Sequence, residues 1–117
     1  MANLRCGHGQ VGTAGTKERL LADYTHPDGI ANESIKAAWV MVTMDLAETS
    51  GEIVIGGSDV VAASGSQAGI RVGVATAVQN NKIAIITAPP GGSISVNDIW
   101  VDATVNGLDF TFAFMEL

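Results

Sequence analysis

Cys6, His8 and His26 are the side chains best suited to grip a metal or attack a carbonyl. Structural zinc takes four ligands, in spacings such as Cys-x₂₋₄-Cys or His-x₃₋₅-His. A single residue separates Cys6 from His8, and the sequence indicates no fourth ligand. The plainer reading is an arm thiol and two histidines in solvent or at contacts. A Cys–His nucleophile pair also needs an orienting carboxylate and an oxyanion-hole segment, and neither is marked. Gly7-His8-Gly9-Gln10-Val11-Gly12 fits G-x-G-x-x-G by letter. That loop works only between a strand and a helix, and the residues before Gly7 are too few to supply the strand. Asp98, Asp102 and Asp109 form an acidic group near the C-terminus. Calcium asks for about six or more oxygens, so a solvated acidic face is the plainer reading. A glycosidase needs one carboxyl of raised pKa in a cleft, and these three are too exposed for that. No catalytic set, metal set or cofactor cradle can be assembled. The chain is expected to be non-enzymatic.

The stretch that must position the three aspartates runs from Ile99 to Phe114. Asn106-Gly107 stands between two alternating runs, the strongest short-range signal for a two-residue hairpin turn. Closing the turn there pairs Val105 with Leu108, Ala103 with Phe110, Val101 with Phe112 and Ile99 with Phe114. All eight are apolar, so this face is predicted to be core. Trp100, Asp102, Thr104, Asp109, Thr111 and Ala113 take the other face. Asp102 and Asp109 would then lie diagonally on adjacent strands, within reach of one cation. A one-residue slip would move Asp102 and Thr104 to the phenylalanine side, so the register is strongly specified.

The chain has 117 residues, 47% apolar and only 15% charged. The length suggests one domain. Typical charge content is about 25%, so much of this surface is expected to be small and polar, or covered by other subunits. Net charge is −6. Residues 1–36 are neutral in balance, and the acids are in excess beyond them. An acidic body without a basic cluster argues against direct nucleic-acid binding. One cysteine excludes an intrachain disulfide. No signal-peptide pattern and no apolar run long enough for a bilayer is present. The expected setting is a cytoplasm, or release from one by lysis.

Residues 1–33 read as a glycine-rich N-terminal arm and a turn-rich connector. His26-Pro27-Asp28-Gly29 is a turn, because Pro presets φ and Gly accepts the tight geometry. Residues 34–117 read as the folded domain. Ser34 to Met44 is a strand apolar on both faces, with Ile35, Ala37, Trp39 and Met41 on one and Ala38, Val40, Val42 and Met44 on the other. Trp39, Val40 and Met41 are therefore candidate interface residues, with the core as the plainer place for Trp39. Trp100, pointing away from the phenylalanines, is a candidate contact with another subunit or with a covering loop. Ile70–Gln79 and Lys82–Thr87 flank Asn80-Asn81, a second tight hairpin by the same logic. About seven or eight short strands with frequent turns predict an all-β antiparallel sandwich or jelly roll.

Two phrases then carry a resemblance. Val40-Met41-Val42 followed by Gly51-Glu52-Ile53-Val54-Ile55-Gly56-Gly57-Ser58-Asp59-Val60 is similar to a strand–turn–strand phrase of small tailed-phage structural proteins. Ser95 to Gly107 resembles the ending of the same proteins, and Gly12-Thr13-Ala14 their opening. The resemblance implies a virion component, most specifically a capsid decoration (cement) protein at the capsid surface. Its implied partners are itself, as a homotrimer, and the major capsid protein. It implies neither direct nucleic-acid contact nor membrane contact. A tail, fibre or adaptor component is the second expectation. A receptor- or glycan-binding module is the third, since only Tyr24 and two Trp are available to stack on a sugar.

Overall fold

The computed structural model describes residues 3–76 and 81–117, and the chain is a sandwich of two antiparallel sheets. The strands are β1 (Asn3–Val11), β2 (Glu18–Arg19), β3 (Lys36–Met44), β4 (Glu52–Gly56), β5 (Ile70–Gly73), β6 (Ala84–Thr87), β7 (Ile94–Ser95), β8 (Trp100–Ala103) and β9 (Leu108–Glu116). Sheet A runs β1-β9-β3-β6, with β7 also on β3. Sheet B runs β2-β8-β4-β5. Among the described residues no helix is long and apolar enough to cross a membrane.

The central strand is β9. Its residues alternate between the interior and the outside, and Leu108, Phe110, Phe112 and Phe114 all point inward. They meet Val40 and Val42 of β3 within sheet A, and across the gap Ile53, Ile55, Val72, Val101 and Ala103 of sheet B. The interior-facing positions of β8 and β9 are therefore the ones that alternation predicts.

Their pairing is not. β8 lies in sheet B and β9 in sheet A, so the C-terminal hairpin does not form. The two runs face each other across the sandwich, where packed sheets stand about 10 Å apart. The connection is an arch from Thr104 to Gly107. A type I′ turn needs φ > 0 at both central residues. Gly107 has φ +73°, but no described non-glycine residue has positive φ, so Asn106 is not in that conformation. Asn106 instead accepts the Ala14 N–H through its side-chain oxygen (2.8 Å), and Gly107 N–H donates to the Val11 carbonyl (3.0 Å). The turn residues bind the end of β1 and the loop that follows it rather than closing their own strands. Val105, expected in the core, is 40% exposed on the arch. The other seven expected core residues are buried.

The N-terminal arm is also corrected. β1 pairs with β9 over its whole length, Asn3 opposite Glu116 and Val11 opposite Leu108. Gly7 and Gly9 hide the alternation, because they occupy inward positions without side chains. The opposite residues, Phe112 and Phe110, lay their rings over the two glycines, an arrangement that restores packing where a strand lacks side chains. A Cβ on Gly7 would stand 2.5 Å from Phe112 Cζ and 2.9 Å from Tyr24 Cδ1, and one on Gly9 2.6 Å from Phe110 Cζ. Leu20 and Leu21, in the connector, are fully buried, so residues 3–33 complete the sandwich.

Two further expectations change. Ile35 and Ala37 point inward, but so do Val40, Val42 and Met44, because a register shift against β9 between Ala37 and Val40 reverses the phase. One extra residue in a bulged strand does this. The hairpin expected at Asn80-Asn81 falls partly outside the described residues. Its flanking strands, β5 and β6, lie in different sheets.

Candidate functional site

The expected chemical groups are not assembled. Cys6 and His8 sit on the outside of β1, both exposed, while His26 is buried. Among the described residues no three His, Cys, Asp or Glu side chains are close enough to hold a metal.

Asp102 and Asp109 lie on opposite sheets and cannot share a cation. Asp102 is not solvated but buried, on the outer side of β8 beneath residues 57–69. Its Oδ1 accepts N–H bonds from Gly15 (3.0 Å) and Ala103 (2.8 Å), and its Oδ2 accepts one from Ala62 (2.9 Å). Backbone donors do here what a metal would otherwise do, and they tie two loops to sheet B. Asp109 is exposed and accepts from Gln10 Nε2 (2.9 Å), and Asp98 is exposed, 3.8 Å from Arg19.

Trp100 packs with Val54, Val60 and Ala62, so the chain's own loop covers it. The Arg19 guanidinium lies 4.5 Å from its ring centroid, at cation–π distance. Of the two contacts expected for Trp100, the structure shows the covering loop. Val40 is removed from the candidate interface, since it is fully buried between the sheets.

A polar cluster that the sequence did not announce closes one end of the sandwich. Arg5 Nε donates to Glu116 Oε1 (2.8 Å), and Arg5 Nη2 to Asp28 Oδ2 (3.1 Å). His26 Nδ1 accepts the Asp28 N–H (3.0 Å), so its proton sits on Nε2, which donates to Glu116 at 2.8 Å. Tyr24 stacks edge-on against Phe112 and Phe114 beside it. The bond from Arg5 holds the Glu116 carboxyl below the usual carboxylate range, with His26 adding to this and burial opposing it. Burial pushes the Tyr24 hydroxyl up. Among the described residues every buried side-chain nitrogen and oxygen has a partner. This cluster latches β1, the connector and the end of β9 together.

The latch gives a pH dependence. A carboxyl whose folded pKa is depressed stabilises the fold above its unfolded pKa, and loses that contribution as pH falls through the folded value. Wild-type stability is therefore expected to drop below about pH 4.5, the ordinary value for Glu116. Glu116→Gln should melt several degrees lower at neutral pH, and the gap should narrow in acid. Thermal melts across pH 7 to 3 check this; a gap independent of pH would refute it.

The strongest candidate surface is the outer face of sheet A. Outward-pointing residues of antiparallel sheets facing water are usually polar. Here they include Leu4, Cys6, His8 and Gln10 on β1, Thr111, Ala113 and Met115 on β9, Trp39 and Met41 on β3, and Ile85 on β6. Leu4 is 57% exposed and Ile85 55%, while Trp39, Met41 and Met115 are half-buried. The register sets Cys6, Ala113, Met41 and Ile85 in one row across four strands. The next row holds His8, Thr111 and Thr43, with the two threonine hydroxyls bonded at 2.8 Å. Among the described residues the outward charges on these strands are Asp109 on β9 and Lys36 at the start of β3. A shallow hollow of about 560 Å³ lies over Cys6, His8, Met41, Thr43 and Thr111. Met41 and Trp39 were legible as interface candidates; the remaining residues come together only through strand order. Contiguous apolar surface rimmed by polar groups marks a protein contact more often than a catalytic cleft. The chain matches no known protein-family model and no curated protein.

Proposed function

We propose that the protein is a non-enzymatic structural component of a phage particle, a head-decoration protein that docks sheet A onto the capsid surface. The observation that carries this reading is the outer face of sheet A, apolar, shallow and nearly free of charge. A face of that kind binds by excluding water against another flat protein surface. The resemblance of the Val40–Val60 and Ser95–Gly107 phrases to tailed-phage structural proteins supplies the setting. The partners are the major capsid protein and further copies of the chain. Many copies laid across the seams between shell subunits would oppose the outward pressure of packed DNA without touching the DNA. The net charge of −6 fits a surface that avoids phosphates.

The test is stoichiometry. In purified particles of the virus encoding this chain, copy number should be comparable with that of the shell subunit. A number matching a single tail would turn the reading to a tail or fibre part, and absence from particles would overturn it. Met41→Asp should lower particle occupancy about tenfold or more, because a charge replaces an interface anchor. Its effect on folding should stay within about 1 kcal/mol, since Met41 lies on the outside of the sheet. Unchanged occupancy would remove sheet A from the contact.

A further inference from the structure

Each sheet has two margins, and one of them is unlike the others. β2 spans two residues, and β5 and β6 four each. β1 runs nine residues, with β9 on one side and, among the described residues, no strand on the other. Successive residues of an antiparallel strand turn their N–H and C=O to opposite sides. On β9, the Asp109 carbonyl accepts from Asp45 N–H, and just beyond the strand Leu117 N–H donates to the Lys36 carbonyl. The odd-numbered residues thus bond on the β3 side, and the even ones toward β1. Their partners on β1 are Asn3, Arg5, Gly7, Gly9 and Val11. The N–H and C=O groups of Leu4, Cys6, His8 and Gln10 are left facing outward along the margin.

Proteins usually guard such a margin with proline, lysine, a bulge or brevity. β1 contains no proline and no lysine, and it pairs with β9 without a register shift. Its one guard is the inward-pointing charge of Arg5, and Glu116 neutralises that charge within the chain.

We infer that β1 pairs antiparallel with β1 of a second copy about a two-fold axis at Gly7. In that register Leu4 faces Gln10 and Cys6 faces His8, each twice. All the outward backbone groups are used, in about eight inter-chain N–H···O=C bonds, two for each facing pair. No like charges meet. The outer faces of the two A sheets become one continuous apolar surface. At the opposite margin β6 is less than half as long, so a second β1 is the better match in length. The inference stands on the margin alone and not on the particle reading. It replaces the three-fold association implied by the resemblance with a two-fold one.

Sedimentation of the whole chain at rising concentration should approach twice its 12.0 kDa mass. The two Cys6 side chains are then diagonal neighbours, about 7–8 Å apart, so a short bis-maleimide should link them into a covalent dimer. His8→Pro removes an outward N–H without touching the β9 ladder. It deletes two inter-chain bonds at once, so association should weaken at least about tenfold and the cross-link should be lost. Should the proline disturb the strand, Cys6→Lys with His8→Lys tests the same register by repulsion from two exposed positions, read by sedimentation. A mass of one chain at all concentrations, a mass of three, or full dimer in a folded His8→Pro or double-lysine variant would overturn the pairing.

Discussion

Gly7→Val is expected to cost about 3 kcal/mol of folding stability, at the upper end for adding bulk to a packed core. The new Cβ would meet Phe112 Cζ at 2.5 Å and Tyr24 Cδ1 at 2.9 Å. Neither ring can swing away cheaply. Phe112 stacks on Phe114 with centroids 6.2 Å apart, and Tyr24 packs edge-on against both. A domain of this size has about 5–15 kcal/mol in all, so the melting temperature should fall by about 10 °C. The damage should be greatest at β1, which should gain hydrogen exchange first. Gly12→Val is the control, because nothing lies within 4 Å of a Cβ at that position. Equal melting of Gly7→Val and wild type would mean that β1 does not pack as described.

The second large effect is expected at Asp102. Replacing it by alanine leaves the N–H groups of Gly15, Ala62 and Ala103 without their acceptor. Each buried donor left unpaired costs about 1–3 kcal/mol. Water reaches the Gly15 end more readily, so a total of about 3–4 kcal/mol is reasonable. The loss should be local as well as global. Residues 57–69 are tied to sheet B by the bond from Ala62 N–H and by the packing of Val60 and Ala62 against Val54. In Asp102→Ala this loop should become sensitive to limited proteolysis, and Trp100 beneath it should change its fluorescence. Asp102→Asn should recover only part of the loss, since one of its two terminal atoms is a donor facing donors. A variant indistinguishable from wild type in both melting and proteolysis would refute the tie.

The hairpin residues show how far the sequence could be read. Alternation from Ile99 to Phe114 identified seven buried side chains out of eight. The same alternation is compatible with a hairpin in one sheet and with an arch joining two. In either case the apolar side chains meet, side by side or face to face. Asn106 favoured the hairpin on conformational grounds, but in the fold its side chain accepts the Ala14 N–H instead. A local preference worth a fraction of a kcal/mol gave way to hydrogen bonds between distant segments.

The candidate surface was half legible. Met41 and Trp39 belong to a strand apolar on both faces, and that pattern alone marked them. Leu4, Met115 and Ile85 lie far apart in the chain, and only strand order brings them onto one face. Glu116, Arg5 and His26 were invisible for the same reason, since an ion cluster has no period. β1 carries no legible period because Gly7 and Gly9 erase the inward half of its alternation.

The sequence by itself determined the class of structure, the positions that leave water and the scarcity of charge at the surface. Those follow from side-chain polarity and a period of two, which act along the chain. The tertiary structure alone decided which strands are neighbours, which aspartate is buried, and which margin and face stay open. Those depend on backbone hydrogen bonds, and backbone donors and acceptors are chemically alike at every residue except proline.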